Sequence, residues 1–251
     1  MAPDLENDGY CIVEGVLDAD EVVAARSALA AAVAETERRG VPTFMPVLDP
    51  NPANVRVFNL IDLHATFREL ILHPRAIQLV TRLLGEHFMI SNFTANIARP
   101  GSRSMAVHAD QAIVVPEPWL SPWAINIIWC LTDVTAENGG TLFLPGSHKV
   151  TRRSELPAHP VENMVAFEAP AGSVVAMDGR LWHTSGANVT TDEERSLLFG
   201  YYTMDFIRPQ VNWNAILSDE TMAEVSPALS ARLGLGPSAN VRLGAGLSPD
   251  G

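Results

Sequence analysis

The sequence predicts an α+β protein in which N-terminal helices pack against a β-sandwich or jelly-roll core. Helical patterns dominate from about residue 18 to residue 85. From about residue 87 to residue 206, short β-prone runs follow one another with turn-forming residues between them. Helices followed by many strands are typical of α+β chains and not of alternating βαβ units. We expect one domain over residues 1–251, with about 207–251 forming a lid or tail.

The first helix is predicted from its two ends. Asp18 as N-cap and Glu21 three residues later form a capping box. Apolar positions and alanines continue to about Arg39, and Gly40 ends the helix. The other elements expected before the β-rich part are a strand over 9–17, a loop over 41–54, a strand over 55–60 and helices over 62–72 and 74–84.

The β-rich part is predicted from apolar runs bounded by Gly, Pro and Asn. One or two helices are expected later, at about 219–233. The predicted strands cover 87–99, 104–115, 124–134, 141–145, 163–168, 173–178 and 195–206.

Composition and charge exclude several classes of function. Hydrophobic residues make up 47% of the 251, enough for a packed core, and no apolar run is as long as a membrane span. A net charge of −12 argues against nucleic acid and anionic membrane surfaces as partners. Cys11 and Cys130 lie in no CxxC motif, which predicts two buried free thiols and a reducing, cytoplasmic setting.

Two candidate metal ligands, His108 and Asp110, lie in the predicted strand 104–115. Residues two apart in a strand point to the same face, so both side chains are expected on one side. Two polar groups on a core face need compensation, and a divalent metal would supply it. A lone His-x-Asp triplet is common by chance, so its context decides.

His183 and Arg195, which come further along the chain, supply that context. His183 follows the predicted strand 173–178, and Arg195 opens a strand in which alternation places Leu197 and Phe199 on the same face. A guanidinium on a core face must pair with an anion. Glu193 is nearby but offers no obvious fixed contact, which favours a carboxylate-bearing ligand. Two His and one carboxylate are typical of the facial triad of non-haem Fe(II) oxygenases.

Taken in this order, the residues resemble the phytanoyl-CoA dioxygenase family of Fe(II)/2-oxoglutarate oxygenases, of the type that modifies natural products. The resemblance runs from residue 9 to about 213. Its most specific part is the block Asn-Gly-Gly-Thr…Pro-Gly-Ser-His at 138–148, and it includes Gly172-Ser173-Val174, His183 with Gly186, and Arg195-Ser196. It implies a double-stranded β-helix core, that is, a cupin-like jelly roll.

The resemblance also implies a catalytic centre and its cofactors. His108, Asp110 and His183 are expected to bind Fe(II), with 2-oxoglutarate and O2 as cosubstrates and ascorbate helpful in vitro. Related halogenases lack the carboxylate at the position of Asp110, so its presence favours oxygenation over halogenation.

Four residues are expected at the cosubstrate. Arg195 matches the residue that holds the distal carboxylate of 2-oxoglutarate through a bidentate pair. Thr141 matches a hydroxyl that contacts the same molecule, and Asn59 lies where relatives place a polar residue over the active site. Met105 stands where several relatives carry a cosubstrate-binding Gln, a departure from the family pattern.

The expected substrate is a hydrophobic small molecule, a secondary metabolite such as a terpenoid, alkaloid or polyketide, and no basic cluster for a CoA phosphate is evident. Hydroxylation is the expected reaction, with desaturation and further rearrangement left open. Alternatives are a metal-dependent isomerase or epimerase and a non-catalytic binding protein. The chain is expected to be a monomer or homodimer. The residues expected to line the substrate pocket are Phe44, Met45, Trp119, Trp123, Phe206 and Trp213.

Overall fold

The computed structural model describes residues 4–236, so the end of the predicted tail, from residue 237, lies outside the described residues. The strands are β1 (Tyr10–Val13), β2 (Asn54–Val57), β3 (Phe88–Ala98), β4 (Ala124–Cys130), β5 (Leu142–Phe143), β6 (Val165–Ala166), β7 (Val174–Asp178), β8 (His183–Thr184) and β9 (Arg195–Met204). The α-helices are α1 (Ala19–Arg38), α2 (Leu60–Leu63), α3 (Ala65–Leu70), α4 (Pro74–Leu84), α5 (Asp110–Val114), α6 (Trp213–Ile216), α7 (Asp219–Glu224) and α8 (Pro227–Leu233).

The strands form two antiparallel sheets. The large sheet has the order β1-β7-β4-β9-β3-β2, and the small sheet has the order β6-β5-β8. An isolated bridge between His108 and His183 adds one more chain segment beside β8. The predicted combination of helices and antiparallel sheet is confirmed. Side chains of β3 and β9 point alternately to the two faces of the large sheet. One face lines the space between the sheets, and the other is covered by helices.

Helices α1 to α4, α6 and α8 pack on the outer face of the large sheet. Their apolar side chains and those of the sheet form one buried cluster, which includes Phe67 of α3, Val80 of α4 and Phe93 of β3. Tyr202 of β9 belongs to this cluster, and its hydroxyl donates to the Ile71 carbonyl at 2.7 Å. Full burial of each large apolar side chain stabilises the fold by about 1.5–3 kcal/mol, so this layer holds the sheet in place.

The capping box at the start of α1 is confirmed. The Asp18 carboxylate accepts from the Glu21 amide at 2.9 Å, and the Glu21 carboxylate accepts from the Asp18 amide at the same distance. α1 ends at Arg38, and Gly40 adopts a φ of 69°, a left-handed conformation that glycine adopts without a steric penalty.

The predicted strand over 104–115 is wrong. His108 makes only a single bridge, and Asp110 begins the short helix α5. Apolar and β-branched residues gave this segment a β pattern, but a ladder needs a partner, and β8 offers only two residues. His108 and Asp110 therefore do not share a strand face. A turn into α5 brings their side chains together instead.

Several predicted strands are shorter in the structure, and the boundaries beside Asn59 and His64 also differ from expectation. The strand predicted over 55–60 ends at Val57, because Asn59 adopts a φ of 58° and starts α2 at Leu60. The helix predicted over 62–72 divides into α2 and α3 at His64, whose extended backbone interrupts it. The predicted C-terminal helices correspond to α7 and α8.

Both cysteines are free thiols. Cys130 is fully buried, as predicted, whereas Cys11 is only half-buried. Within residues 4–236, we find no helix with the length and apolar character that crossing a membrane would take.

The segment after β9 is attached to β3 at a bulge. The register between β3 and β9 shifts at Ser91. The Ser91 hydroxyl accepts from the Gln210 amide at 3.0 Å, and the Ser91 carbonyl accepts from the Val211 amide at 3.1 Å. Trp213 is buried beyond them and donates to the Ile90 carbonyl at 2.8 Å. These contacts hold Gln210 beside the inner face of the large sheet.

Candidate active site

A cavity of about 460 Å³ lies between the two sheets. Alternating residues of the large sheet form one wall, and the segment 105–113 with β8 and the residue before β5 forms the other. The lining side chains used below are Arg56, Phe58, Asn92, Asn96, Met105, His108, Asp110, Ile113, Asn126, Thr141, His183, Arg195, Tyr201 and Gln210.

His108, Asp110 and His183 converge on one wall of this cavity. One ligand-type atom from each lies within 4.8 Å of the others. The Asp110 Oδ1 atom is 3.5 Å from His108 Nε2 and 3.7 Å from His183 Nε2. Among residues 4–236, this is the one group of three such residues that could hold a metal ion. Two imidazole nitrogens and one carboxylate oxygen on one side of an ion, with the cavity on the other, fit Fe(II).

Backbone carbonyls fix the tautomer of both histidines. His108 Nδ1 donates to the Ala106 carbonyl and His183 Nδ1 donates to the Leu181 carbonyl, each at 2.9 Å. A carbonyl can only accept, so the proton of each neutral ring is on Nδ1 and the Nε2 lone pair is free. Both Nε2 atoms face Asp110, which is the orientation a metal ligand requires.

Neighbouring polar groups orient Asp110. The Asn126 side chain donates from Nδ2 to Asp110 Oδ2 at 3.0 Å, which leaves Oδ1 for the histidine side. The Tyr201 hydroxyl donates to the Asp110 backbone carbonyl at 3.2 Å. A ligating carboxylate held in this way loses little freedom when an ion binds.

The electrostatics of the site keep Asp110 and His183 in the form that can bind a metal ion. Burial would raise the pKa of Asp110, but the two histidines outweigh burial and lower this pKa below its usual range. Burial, followed by the charge of His108, lowers the pKa of His183 to about 4. At neutral pH, Asp110 is therefore ionised and His183 is neutral.

Arg195 is a buried cation with no acidic partner. It is 1% exposed and lines the cavity. Its guanidinium donates to the Gly139 carbonyl at 3.1 Å and to the Asn96 side-chain oxygen at 3.0 Å. Within residues 4–236, no carboxylate lies at ion-pair distance from it. Burial, followed by the charge of Arg56, lowers its pKa to about 10, so a bound anion would be strongly favoured.

The Asn-Gly-Gly-Thr block explains how the cavity wall beside Arg195 is assembled. A Cβ on Gly140 would lie 2.8 Å from the carbonyl oxygens of Phe167 and Thr135, and one on Gly186 would lie 2.4 Å from the Gly140 carbonyl. Glycine is required because these backbones approach so closely. The block thereby places the Gly139 carbonyl on Arg195 and Thr141 in the cavity wall.

Comparison with known proteins decides the family. The sequence profile of the phytanoyl-CoA dioxygenase (PhyH) family matches residues 5–196. The chain belongs to the phytanoyl-CoA dioxygenase family. It is 51% identical over 231 residues to dioxygenase af480 of Aspergillus fumigatus, covering 92% of this chain and 75% of that protein.

Two solved structures share the fold of this family member. The non-haem α-ketoglutarate-dependent carbocyclase SnoK from nogalamycin biosynthesis is 25% identical, with a TM-score of 0.66 over 89% of this chain and 88% of its own. The epimerase SnoN, solved with Fe³⁺, α-ketoglutarate and nogalamycin RO, is 24% identical, with a TM-score of 0.63 over 82% and 84%. These findings confirm the predicted enzyme class, a non-haem iron and 2-oxoglutarate-dependent dioxygenase, and its predicted cofactors.

The four predicted cosubstrate residues do not all reach the cavity of this dioxygenase. Arg195, Thr141 and Met105 line it. Asn59 does not: it holds the left-handed position before α2, and Phe58 lines the cavity instead. A cosubstrate contact by Asn59 stays a prediction that this placement does not support.

The six predicted substrate residues lie outside the cavity lining. Trp213 is in the main core, and Trp119 packs on Trp182 with ring centroids 6.0 Å apart. Trp123 and Phe206 form an exposed edge-to-face pair at 5.3 Å. The remaining two, Phe44 and Met45, are half-buried in the loop before β2.

Sequence reasoning missed Arg56, Asn126 and Gln210. Arg56 and Phe58 share a strand face by alternation, so the signal for Arg56 was available. It pairs with buried Asp49 at 2.6 Å and also donates to the Met105 sulfur at 3.6 Å. A signal for Asn126 was also available, because it is the only amide residue in the otherwise apolar strand β4. Gln210 had no local signal, since a distant bulge positions it.

Proposed function

We propose that this protein oxidises an unactivated C–H bond of a hydrophobic small molecule, with hydroxylation as its reaction. The observation that carries the proposal is that one cavity contains both the His108–Asp110–His183 cluster and the unpaired guanidinium of Arg195. The cluster fits an iron ion, and the buried cation needs a carboxylate from outside the chain.

The residues divide the cavity into a cosubstrate end and a substrate end. Arg195 would hold the distal carboxylate of 2-oxoglutarate, and Thr141 would contribute its hydroxyl. Arg56, which pairs with Asp49, also lines the cavity at this end and lies close enough to lower the pKa of Arg195. The metal ligands lie on the opposite wall, so the keto acid end of the cosubstrate would be directed at them.

Bound iron and 2-oxoglutarate together would activate O2 for attack on a C–H bond. The chain contributes orientation. Asn126 keeps the Asp110 carboxylate in one orientation, and the two backbone-anchored imidazoles present their Nε2 atoms on the same side.

Several finer features belong to the same proposal. The two sheets would be the halves of a double-stranded β-helix, closed on one side by the His108–His183 bridge. The chain would act as a single domain. A secondary-metabolite substrate is supported by the likeness to SnoK from nogalamycin biosynthesis.

Succinate formation tests the proposal. The wild-type protein with Fe(II), 2-oxoglutarate and O2 should form succinate faster when extracts or panels of apolar metabolites are added, and mass spectrometry should show a product heavier by one oxygen atom. Asp110→Ala should abolish both signals without unfolding, because it removes one ligand from the surface of the cavity. Full turnover by Asp110→Ala would refute the metal assignment.

The same assay separates the alternatives. An isomerase or epimerase would convert substrate without adding oxygen, and a product of unchanged mass would refute oxygenation. A non-catalytic binding protein would bind small molecules and form no succinate above the rate without added compound.

A further inference from the structure

The cavity changes character along the large sheet. At one end, Arg195 pairs in register with Ala98. Asn92, which pairs with Tyr201, lies four residues along β3 from Asn96, or about 13 Å at the usual rise per residue of a strand. The Asn92 end is therefore well separated from the cations that suit the cosubstrate.

Two amide side chains meet at this second end. Asn92 Nδ2 donates to Gln210 Oε1, and both residues line the cavity. The contact is held by the backbone, because Ser91 receives hydrogen bonds from the amides of Gln210 and Val211. The pair is thus a built feature of the fold and joins two segments that are distant in sequence.

The pair leaves one donor and one acceptor free. Within residues 4–236, Asn92 Oδ1 and Gln210 Nε2 have no hydrogen bond. If both amides were rotated by half a turn, the other two atoms would be free, and again one would donate and one would accept. A hydroxyl group can donate to one and accept from the other. A carboxylate or a ketone can only accept, so it would use the free donor alone, whereas a hydroxyl group would use both atoms.

Apolar side chains of the cavity favour an uncharged and mainly apolar molecule. Val47 and Ile113 line the cavity and are 91% and 66% exposed, so a ligand that covered them would bury apolar surface. The ionisable side chains that line the cavity are the triad, Arg195, Arg56 and Tyr201. Asp49 matches the charge of Arg56, and burial raises the pKa of the Tyr201 phenol, which therefore stays uncharged. Among the described residues that line the cavity, no further charged side chain lies at the Asn92 end to pair with an ionic substrate.

We propose that Asn92 and Gln210 determine specificity by recognising a hydroxyl group on an uncharged, apolar substrate. This inference rests on the proposed function and names its substrate class, an alcohol. The substrate must then come from a reaction that installs a hydroxyl, such as hydroxylation, hydration or ketone reduction, and the enzyme adds its oxygen to an already oxygenated skeleton.

Three probes with one carbon skeleton test this proposal. The dissociation constants of farnesene, farnesol and farnesoic acid are measured with protein loaded with Ni(II) and 2-oxoglutarate. The Ni(II) form binds the probes without turning them over. In the wild type, farnesol should bind more tightly than farnesoic acid. The ratio of farnesol affinity to farnesene affinity should fall about tenfold in the double variant Asn92→Ala/Gln210→Ala, as expected for the loss of one or two net hydrogen bonds.

Matched controls separate recognition from damage. Gln78→Ala removes an amide on the exposed surface of α4 and should leave the ratio at its wild-type value. Val47→Ala should weaken all three probes equally, since it removes only apolar contact. An unchanged ratio in the double variant, tighter binding of the acid than of the alcohol, or no binding of any probe would overturn the proposal.

The affinity for 2-oxoglutarate is measured separately in each variant. Wild-type affinity in the double variant shows that the cavity is intact. If the wild type failed to bind 2-oxoglutarate, the proposed cosubstrate site would be refuted. The ratio of farnesol affinity to farnesene affinity would still decide the role of Asn92 and Gln210.

Discussion

Replacing Arg195 with Met should separate cosubstrate binding from stability. The pKa of Arg195 falls from 12.5 to about 10 on burial, and at about 1.4 kcal/mol per tenfold change in proton affinity this penalises the charged form by roughly 3 kcal/mol. Its three hydrogen bonds to Gly139 and Asn96 each stabilise the folded protein by about 1 kcal/mol. The two contributions nearly cancel, so the metal-free variant should be as stable as the wild type within about 1–2 kcal/mol.

The affinity for 2-oxoglutarate should respond very differently. Removing one partner of a buried charge pair typically costs about 3–5 kcal/mol. The dissociation constant of 2-oxoglutarate should therefore rise at least about 100-fold in Arg195→Met. Isothermal titration of the Ni(II)-loaded protein gives the affinity, and urea unfolding of the metal-free protein gives the stability.

Arg180 provides the matched control. Its guanidinium pairs with Asp178, whose side chain is 1% exposed, at 2.7 Å. Arg180→Met leaves that carboxylate buried and unpaired, so it should destabilise the fold by about 3–5 kcal/mol while the affinity for 2-oxoglutarate is retained. If Arg195→Met were as destabilising as Arg180→Met and left the affinity unchanged, Arg195 would be a structural cation and the cosubstrate would bind elsewhere.

Two further predictions concern residues around this site, and a third concerns Asp62 of α2. Asn126→Ala should weaken Co(II) or Fe(II) binding about 10- to 100-fold, because the Asp110 carboxylate loses its orienting donor; unchanged metal affinity would contradict this role. Met105→Gln should lower the dissociation constant of 2-oxoglutarate several-fold, since an amide donor replaces a thioether in the cavity wall; weaker binding would show that the sulfur is itself required. Burial would raise the pKa of Asp62, but hydrogen bonds, chiefly from Ser218, outweigh burial and lower it. Its stabilising effect is therefore complete above the usual carboxyl pKa and is lost as the pH falls through the lower folded-state value. Asp62→Asn should cost about 1–3 kcal/mol at pH 7 and progressively less towards pH 2; a urea-unfolding difference that did not change with pH would refute this account.

Local sequence patterns predicted those elements whose causes are local. The capping box at Asp18 and Glu21 and the turn chemistry at Gly40 act within a few residues, and the helix α1 follows from them. The strand expected around His108 failed because a strand also needs a partner. The His108 segment meets only the two residues of β8.

In the site, too, residues marked by local motifs could be predicted, and residues placed by distant contacts could not. His108, Asp110, His183 and Arg195 could be named from motifs, since their residue types are costly to bury without a ligand. The aromatic residues chosen for the substrate were a poorer guide, because aromaticity indicates burial and says nothing about which space a ring faces. Trp213 is buried in the helix–sheet core for this reason. Gln210 could not have been predicted at all, since the bulge at Ser91 places it.

The bridge between His108 and His183 has a consequence for metal exchange. The amide of each residue donates to the carbonyl of the other, at 3.0 and 2.8 Å, so two ligands from distant parts of the chain are joined through their own backbones. Most of the entropy of bringing them together is spent during folding, before any ion arrives. A chelator should therefore strip the metal from a protein that stays folded, and reloading should proceed at the speed of ion diffusion and dehydration, without a refolding step.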